Sequence, residues 1–521
     1  MSKNNTRSLL LLLVLTVFTK ALGFLKTTIT AAYFGMSVET DIYNIADGII
    51  NQVFYAFTIS VSVIIVPLYL ARKEEGKTAS KRFAKTAYIS MIILGAALML
   101  IVFFLSPVIA RIMGREYSPA YIDLLSRYMR VLAAGIMLTL VTNTIQSLLN
   151  AERVYGFPSL CAMMNSVVII LFAVVFSDIL GVWALVLSVP VAYLIQTVFL
   201  RIKARKYLNV SLKSVGGYDP QIKVLFISMI PVFLSNATME LNGFVDKYLL
   251  AGLEAGAVTA VSYSMVLLVF ATNIISIPVT TVLFTDVSEL CSKKKYDDVR
   301  AVTEKAVVSV LMVCLPIMVI AISCSGRIVN FVYGYGKFSP DAVSLTALAL
   351  AGYGFSIAFY VLKDVVNRIA YALLETKLPM IVGIISFVVH VATAVALTPY
   401  FGMMGVIWGT VASVGLTAVL TLIVLSKKYL HCKWMKYWPS YLKIVLATAI
   451  MTAAVILMQN VMHIDLFGDK IDTLAELAIY AVAGFVLYFG VLLLTKEASV
   501  MGLCSSVFNK FRHKKEDSQN T

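Results

Sequence analysis

The sequence predicts an all-α polytopic membrane protein: fourteen transmembrane helices, arranged as two six-helix lobes related by a parallel repeat and followed by two extra C-terminal helices. Three observations predict it. The chain is 60% hydrophobic and only 14% charged over 521 residues, where soluble domains run at about 45–50% and about 25%; it lacks the charge to cover a water-facing surface of that size. Apolar stretches of the roughly 20 residues needed to cross a hydrocarbon core recur along its whole length. The chain also resembles itself at an offset of about 221 residues. High hydrophobicity with modest Gly and Pro excludes disordered and collagen-like classes. Six scattered cysteines without a Cys-x-x-Cys pair imply neither a metal site nor a disulfide framework.

The apolar stretches centre on 8–33, 42–70, 83–110, 121–149, 157–177, 180–200, 224–246, 257–287, 304–326, 341–372, 378–398, 403–425, 441–461 and 472–495. The loops between them alternate in charge. Those sharing a side with the N-terminus hold 30 of the 43 Lys and Arg residues and those on the other side hold six, leaving seven within the spans. By the positive-inside rule both termini are cytoplasmic, which requires an even number of spans. The net charge of +15 is therefore mostly topology, with attraction to membrane lipids second. The basic residues sit in short loops with no folded domain to present them to nucleic acid. Lys3 and Arg7 precede the first span, which lacks a small-residue cleavage site and reads as a retained helix.

The repeat is carried by several ordered pairs. Ser118-Pro119 returns as Ser339-Pro340, Pro158 as Pro379, Lys206-Tyr207-Leu208 as Lys428-Tyr429-Leu430, Gly23-Phe24 as Gly243-Phe244, and Gly181-Val182 as Gly405-Val406. The expected organisation is an N-terminal lobe over 1–215, a C-terminal lobe over 216–430, two further transmembrane helices over 431–495 and a basic cytoplasmic tail over 496–521. Six spans is an even offset, so both lobes share one orientation about an axis along the membrane normal. Transporters that rock two halves around a midplane site are built this way.

A charge at bilayer depth costs at least ~2.5–3.5 kcal/mol unless it finds water, a partner or an interface, so polar residues inside the spans are the candidate site. Lys20 and Lys26 lie on the first helix. Asp41 opens the second, where a carboxylate suits either an N-cap or a gating or substrate role. Glu240 and Asp246 lie on the seventh helix. The repeat aligns Asp246 with Lys26, which makes a cross-lobe pair or a simple interface marker the alternatives. Arg127 and Arg130 share a face of the fourth helix and suit an anionic headgroup or snorkelling. Lys363, Asp364 and Arg368 fall midway along the tenth span, with Asp364 and Arg368 spaced for a local ion pair or a cavity patch. His390 is a candidate proton contact or a hydrogen-bonded core histidine. Pro231, Pro278 and Pro316 mark kinks.

The segments Thr19-Lys20-Ala21-Leu22-Gly23-Phe24-Leu25-Lys26, Ala31-Ala32-Tyr33-Phe34-Gly35 and Glu39-Thr40-Asp41 resemble the opening signature of the MviN/MurJ family, lipid II flippases of the MOP exporter superfamily. Tyr335-Gly336-Lys337-Phe338, Ala370-Tyr371-Ala372-Leu373 and Glu375-Thr376-Lys377-Leu378-Pro379 resemble a later part of the same family. The resemblance implies export of a lipid-linked cell-wall precursor for peptidoglycan biosynthesis, by alternating access around a cationic cavity, with a lipid groove at the last two helices. It places Lys20 and Lys26 at the family's first-helix arginines and Asp41 at its second-helix aspartate. Lysine keeps the charge without arginine's bidentate fork. The family's other cavity arginines fall near Asn51-Gln52 and Val266, which are uncharged.

Substrate-binding candidates are therefore Lys20, Lys26, Asp41 and Arg368, and gating or coupling candidates Glu240, Asp246, Lys363 and Asp364. No metal motif, nucleotide loop or nucleophile constellation appears, so no enzyme and no cofactor is expected. Coupling to the membrane potential or to a Na+ or H+ gradient is compatible with the chain. The partners expected are a polyprenyl-diphosphate-linked glycan, membrane lipids and cell-wall synthesis machinery, in a bacterial cytoplasmic membrane. Exporters of O-antigen or capsule units, and cation-coupled multidrug antiporters of the same superfamily, are the alternatives.

Overall fold

In the computed structural model, residues 3–154, 156–208, 219–375, 377–462 and 469–497 are described, and among them there is no strand. The helices are α1 (Lys3–Phe34), α2 (Val38–Glu74), α3 (Lys77–Met113), α4 (Pro119–Ala151), α5 (Gly156–Leu180), α6 (Trp183–Leu208), α7 (Gln221–Leu250), α8 (Ala257–Ser292), α9 (Tyr296–Ser323), α10 (Ser325–Tyr333), α11 (Pro340–Gly354), α12 (Ile357–Ala372), α13 (Lys377–Phe401), α14 (Met403–Val424), α15 (Trp438–Val461) and α16 (Asp469–Leu494). Eleven are long and apolar enough to cross a membrane, or 12 with the bent pair α11–α12 counted as one. With α1 and α7, at 32 and 30 residues, this is consistent with the fourteen spans expected. Large apolar side chains such as Phe104, Ile179 and Val486 face outward, as lipid-facing surfaces require. The Cys504 position and nearly all of the basic tail lie outside the described residues.

The tenth span is broken where one continuous helix is expected. α11 and α12 meet at an angle of 44°, and proline is not the cause. Gly354 approaches α9 so closely that a Cβ there would overlap Ile322 Cγ1 at 2.5 Å. At the break the Tyr353 carbonyl accepts from both the Ser356 N–H at 2.8 Å and the Ser356 hydroxyl at 2.6 Å, one of the recognised ways a helix is bent without losing its polar groups to lipid.

The repeat is visible in backbone geometry. Ser118-Pro119 opens α4, and Ser339-Pro340 stands at the start of α11. Arg153 and Leu374, 221 positions apart, both take positive φ of 61° after their helices. Gly181 and Gly402 turn between helices at φ 54° and 55°, which makes Gly402, and not Gly405, the counterpart of Gly181. Gly405 has another task. It and Gly409 form a Gly-x-x-x-Gly stripe that lets α14 press on α13: a Cβ at Gly405 would stand 2.6 Å from Thr398 Cα, and one at Gly409 2.9 Å from Ala394 Cβ.

Contacts divide the chain into two compact units. One holds Met1–Ser262 with Tyr333–Ala342, the other Tyr263–Val332 with Val343–Thr521. The first unit thus extends past the repeat boundary to include α7. Asp219, fully buried just before α7, explains part of this. It accepts from Arg72 Nη2 of α2 at 2.8 Å and from the backbone N–H of Gln221 at 3.0 Å, tying the start of α7 to the end of α2. Beside it, Glu152 at the end of α4 accepts from Tyr69 Oη at 2.7 Å and Lys73 Nζ at 2.8 Å. In the second unit α15 and α16 seat on α9 through Met312, Val319, Met451, Val455, Tyr480 and Tyr488. Arg327 Nε binds Glu476 at 2.7 Å and Tyr488 Oη donates to the Met312 carbonyl at 2.9 Å.

Two outcomes follow from these contacts. Gly405→Ala lowers the thermal midpoint of the detergent-solubilised protein, with overpacking of about 1–3 kcal/mol. Gly383→Ala on α13, where a Cβ meets nothing within 4 Å, leaves the midpoint unchanged. Burial pushes the Glu152 carboxyl up, but the Lys73 and Tyr69 hydrogen bonds and the Lys73 charge outweigh it and hold the group below its ordinary 4.5. Its stabilisation is therefore present above that value and lost as pH falls through the depressed one. Glu152→Gln lowers the midpoint at pH 7, and the gap to the parent closes as pH is taken below 4.5.

Candidate functional site

The first unit lines a partly open cavity of about 660 Å³, inside the range of about 300–1,000 Å³ typical of ligand sites. One part of its wall is charged: Lys26 of α1, Asp47 of α2 and Glu240 of α7. Lys26 and Asp47 lie in electrostatic reach of one another. Asp47 also accepts a hydrogen bond from Asn51 Nδ2, one turn along α2, at 2.7 Å. Lys247 passes so close over Gly48 that a Cβ there would overlap its stem, and it acts on Asp47, Asp246 and Glu240 together. Positive and negative groups alternate across the three helices, so each charge at bilayer depth has an opposite neighbour.

The remaining wall is polar and uncharged. Thr139, Thr142, Asn143 and Gln146 recur at helical spacing and form one stripe on α4; Asn165 of α5 and Gln196 of α6 join them. Asn143 Nδ2 is tied to the Thr139 carbonyl at 2.9 Å. Gln146 and Gln196 make no hydrogen bond among the described residues, and Gln196 is only 5% exposed.

At the end of α1 that leads into α2, the backbone is closed by two sets of contacts. Ser37 caps α2, reciprocally with Thr40, so Asp41 is free for a different task. Its fully buried carboxylate accepts from the Gly256 N–H at 2.6 Å, the Thr259 N–H at 2.8 Å and the Thr259 hydroxyl at 2.6 Å. Asp41 thus caps the start of α8, where orphan N–H groups and the helix dipole favour an anion. Asn44 Nδ2 donates to Thr259 Oγ1 at 3.0 Å and completes the network. Nearby in sequence, the Lys337 N–H donates to the Ala32 carbonyl at 2.7 Å. Gly35 and Gly336 have φ of +63° and +58°, and a Cβ on either would collide with the other segment's backbone carbonyl.

The candidate residues separate into groups. Lys26 and Glu240 share the cavity, and Asp246 joins them through Lys247. Lys26 and Asp246 both belong to the first unit, and the charge acting on Lys26 is that of Asp47. Lys20 is exposed on α1. Asp41 is engaged with α8 in this conformation. Lys363, Asp364 and Arg368 belong to the second unit. There Asp364 accepts from the Ser276 hydroxyl at 2.6 Å, Lys363 Nζ lies 4.8 Å from the Tyr360 ring centroid, and the exposed Arg368 guanidinium stacks over Phe284. The i,i+4 pair between Asp364 and Arg368 does not form. Arg127 pairs with Asp123 at 2.6 Å on the exposed face of α4, and His390 is buried in α13. Sequence reading missed Asp47 and Lys247, although Asp47 with Asn51 at i+4 interrupts the apolar run of the second span. It also missed the α4 stripe, legible as hydroxyls and carboxamides at spacings of three and four.

A family model described as "Lipid II flippase MurJ" matches residues 30–468. A probable lipid II flippase MurJ of Bdellovibrio bacteriovorus is 23% identical over 424 residues, 80% of each chain. One of Buchnera aphidicola subsp. Acyrthosiphon pisum is 23% identical over 90% of this chain and 93% of its own. Among solved structures, a lipid II flippase MurJ in an inward closed conformation superposes with a TM-score of 0.79 at 19% identity, covering 95% of this chain and all of its own. An inward-facing multidrug resistance MATE family transporter of the MOP superfamily superposes with a TM-score of 0.62 at 16% identity, over 77% of this chain and 96% of its own.

Asp41→Ala leaves the Gly256 and Thr259 donors without their acceptor, at about 1–3 kcal/mol for each buried group that water does not reach. The expected result is a lowered thermal midpoint. Thr259→Val then costs less in the Asp41→Ala background than in the parent, a non-additivity read from the four-member cycle.

Proposed function

This chain belongs to the lipid II flippase MurJ family, and from that premise we propose that it translocates a lipid-linked cell-wall precursor, a polyprenyl-diphosphate glycan of the lipid II type, across the cytoplasmic membrane. The observation that carries the reading is the partly open polar cavity at Lys26, lined by helices whose outer faces are apolar. The head group of such a lipid is what needs a polar path through hydrocarbon, while its tail can stay in the bilayer. No covalent step is required, so the protein acts as a transporter and not as an enzyme, with membrane lipids around it and cell-wall synthesis machinery downstream.

In this proposal the two repeats, 1–215 and 216–430, alternate access to the head group, and the helices over 431–495 serve the tail. Lys26 meets the diphosphate by exchanging its Asp47 contact for the phosphate, Lys20 guides its approach, and Arg368 supplies a further cation. Asp41, by capping α8, holds one side shut until the substrate is bound. Glu240, Asp246, Lys363 and Asp364 are the groups through which a Na+ or H+ gradient would act. With both termini cytoplasmic, an inward-negative potential favours outward movement of an anionic head by about 2.3 kcal/mol per charge per 100 mV. A second reading, export of an O-antigen or capsule-type polyprenyl-diphosphate unit, is favoured by Asn51 and Val266, which stand where the resemblance places arginines.

The test is complementation of a bacterial strain depleted of its lipid II flippase. The parent chain is expected to restore growth, and Lys26→Ala to fail at equal membrane abundance. Failure of the parent chain despite good expression overturns the lipid II assignment in favour of the second reading. Lys26→Ala combined with Asp246→Ala should lose no more activity than the worse single variant if the two act in one charge network.

A further inference from the structure

The part of the cavity wall supplied by α4, α5 and α6 carries no charge, and so offers a diphosphate no cation. It presents instead the carboxamides of Asn143, Gln146, Asn165 and Gln196, drawn from α4, α5 and α6. Each carboxamide offers two donors and one acceptor oxygen. Asn143 is committed to Thr139 through its amide nitrogen, and Asn165 to the Tyr193 side chain. Gln146 and Gln196 have no hydrogen-bond partner among the described residues. Gln196 is 95% buried by its neighbours, yet neither of its amide atoms is sealed among the buried unsatisfied atoms; the amide therefore opens onto the cavity.

Leaving a carboxamide without a partner at bilayer depth is costly, and two such glutamines facing one cavity are explained by a ligand that matches them. We propose that this wall is a subsite for the uncharged, hydroxyl- and acetamido-bearing sugar portion of the transported head group, with Gln146 and Gln196 as its specificity-determining contacts. The inference rests on the reading of the chain as a polyprenyl-diphosphate glycan flippase, and it assigns the sugar to the uncharged α4–α6 wall and the diphosphate to the Lys26 side. A pyranose carries donors and acceptors around its rim, which suits groups that offer both. A cavity of about 660 Å³ leaves room for more than one ring. A site that hydrogen-bonds a substrate's polar groups also rejects analogues lacking them, because its own buried groups are then left unpaired.

The test is binding to the full chain in lipid nanodiscs, with two probes: a polyprenyl diphosphate without sugar, and the same lipid carrying an N-acetylated disaccharide. Gln146→Met and Gln196→Met keep side-chain length and remove the amide; each is measured singly and together, so that one well-folded variant suffices. The expected result is a Kd for the glycan-bearing lipid raised about tenfold in the double variant, from two hydrogen bonds lost, with the Kd for the bare diphosphate moving less than twofold. Equal weakening for both lipids assigns the two residues to folding alone and overturns the proposal, as does no change for either. If the parent chain binds neither lipid, the flippase reading itself falls. If it binds both equally, only the sugar subsite does.

Discussion

A polar group that faces hydrocarbon has to be satisfied from within the protein, and this constraint shapes the fold at each scale. At the smallest scale, hydroxyls turn back on their own helices: Thr27, Ser60, Thr144, Thr272 and Thr398 each donate to a carbonyl four residues earlier. At the next scale, helix ends find partners far away in sequence, as the start of α8 does in Asp41. At the largest, charges that cannot be satisfied locally gather where several helices meet, and Lys26, Asp47, Lys247 and Glu240 form one group of alternating sign. The cavity adjoins that group because a cluster of polar side chains cannot also be close-packed like the apolar seams around it.

The helices were legible because the signal for them is composition over some twenty residues, which no tertiary contact has to complete. The repeat was legible for a related reason: its turn residues, such as Ser118-Pro119 and Ser339-Pro340, have local conformational duties. What escaped depended on distant partners. Nothing near Asp41 in sequence says that Ser37 caps α2 and leaves the carboxylate for a helix more than two hundred residues on. At the break between α11 and α12, Gly354 packs against Ile322 of α9 with no room for a Cβ, and a window of sequence around 354 does not contain that neighbour. Pairing Gly181 with Gly405 had the same origin, since identity of residue was read where identity of backbone conformation was needed.

The charge of the chain divides in the same way. Most basic residues lie outside the apolar spans, near helix ends and in the connections between them, where their effect is summed and exact position matters little. The few within the spans act one at a time, and each has its own settlement: Lys363 over an aromatic ring, Arg127 with an acidic neighbour, Lys26 beside Asp47. A cation already shared with a carboxylate is a weaker trap for phosphate than a free one. For a carrier that must release what it binds, partial neutralisation keeps the bound state from becoming a resting place.

The meeting of Gly35 and Gly336 has a consequence of a different sort. Because main chain rests on main chain there, no rotamers are frozen when the two segments come together, and the loss of about 0.5–1.5 kcal/mol for each immobilised side chain at an ordinary interface does not arise. The junction is therefore sharply defined in shape by main chain alone, and its fit depends on the absence of two side chains rather than on the packing of any.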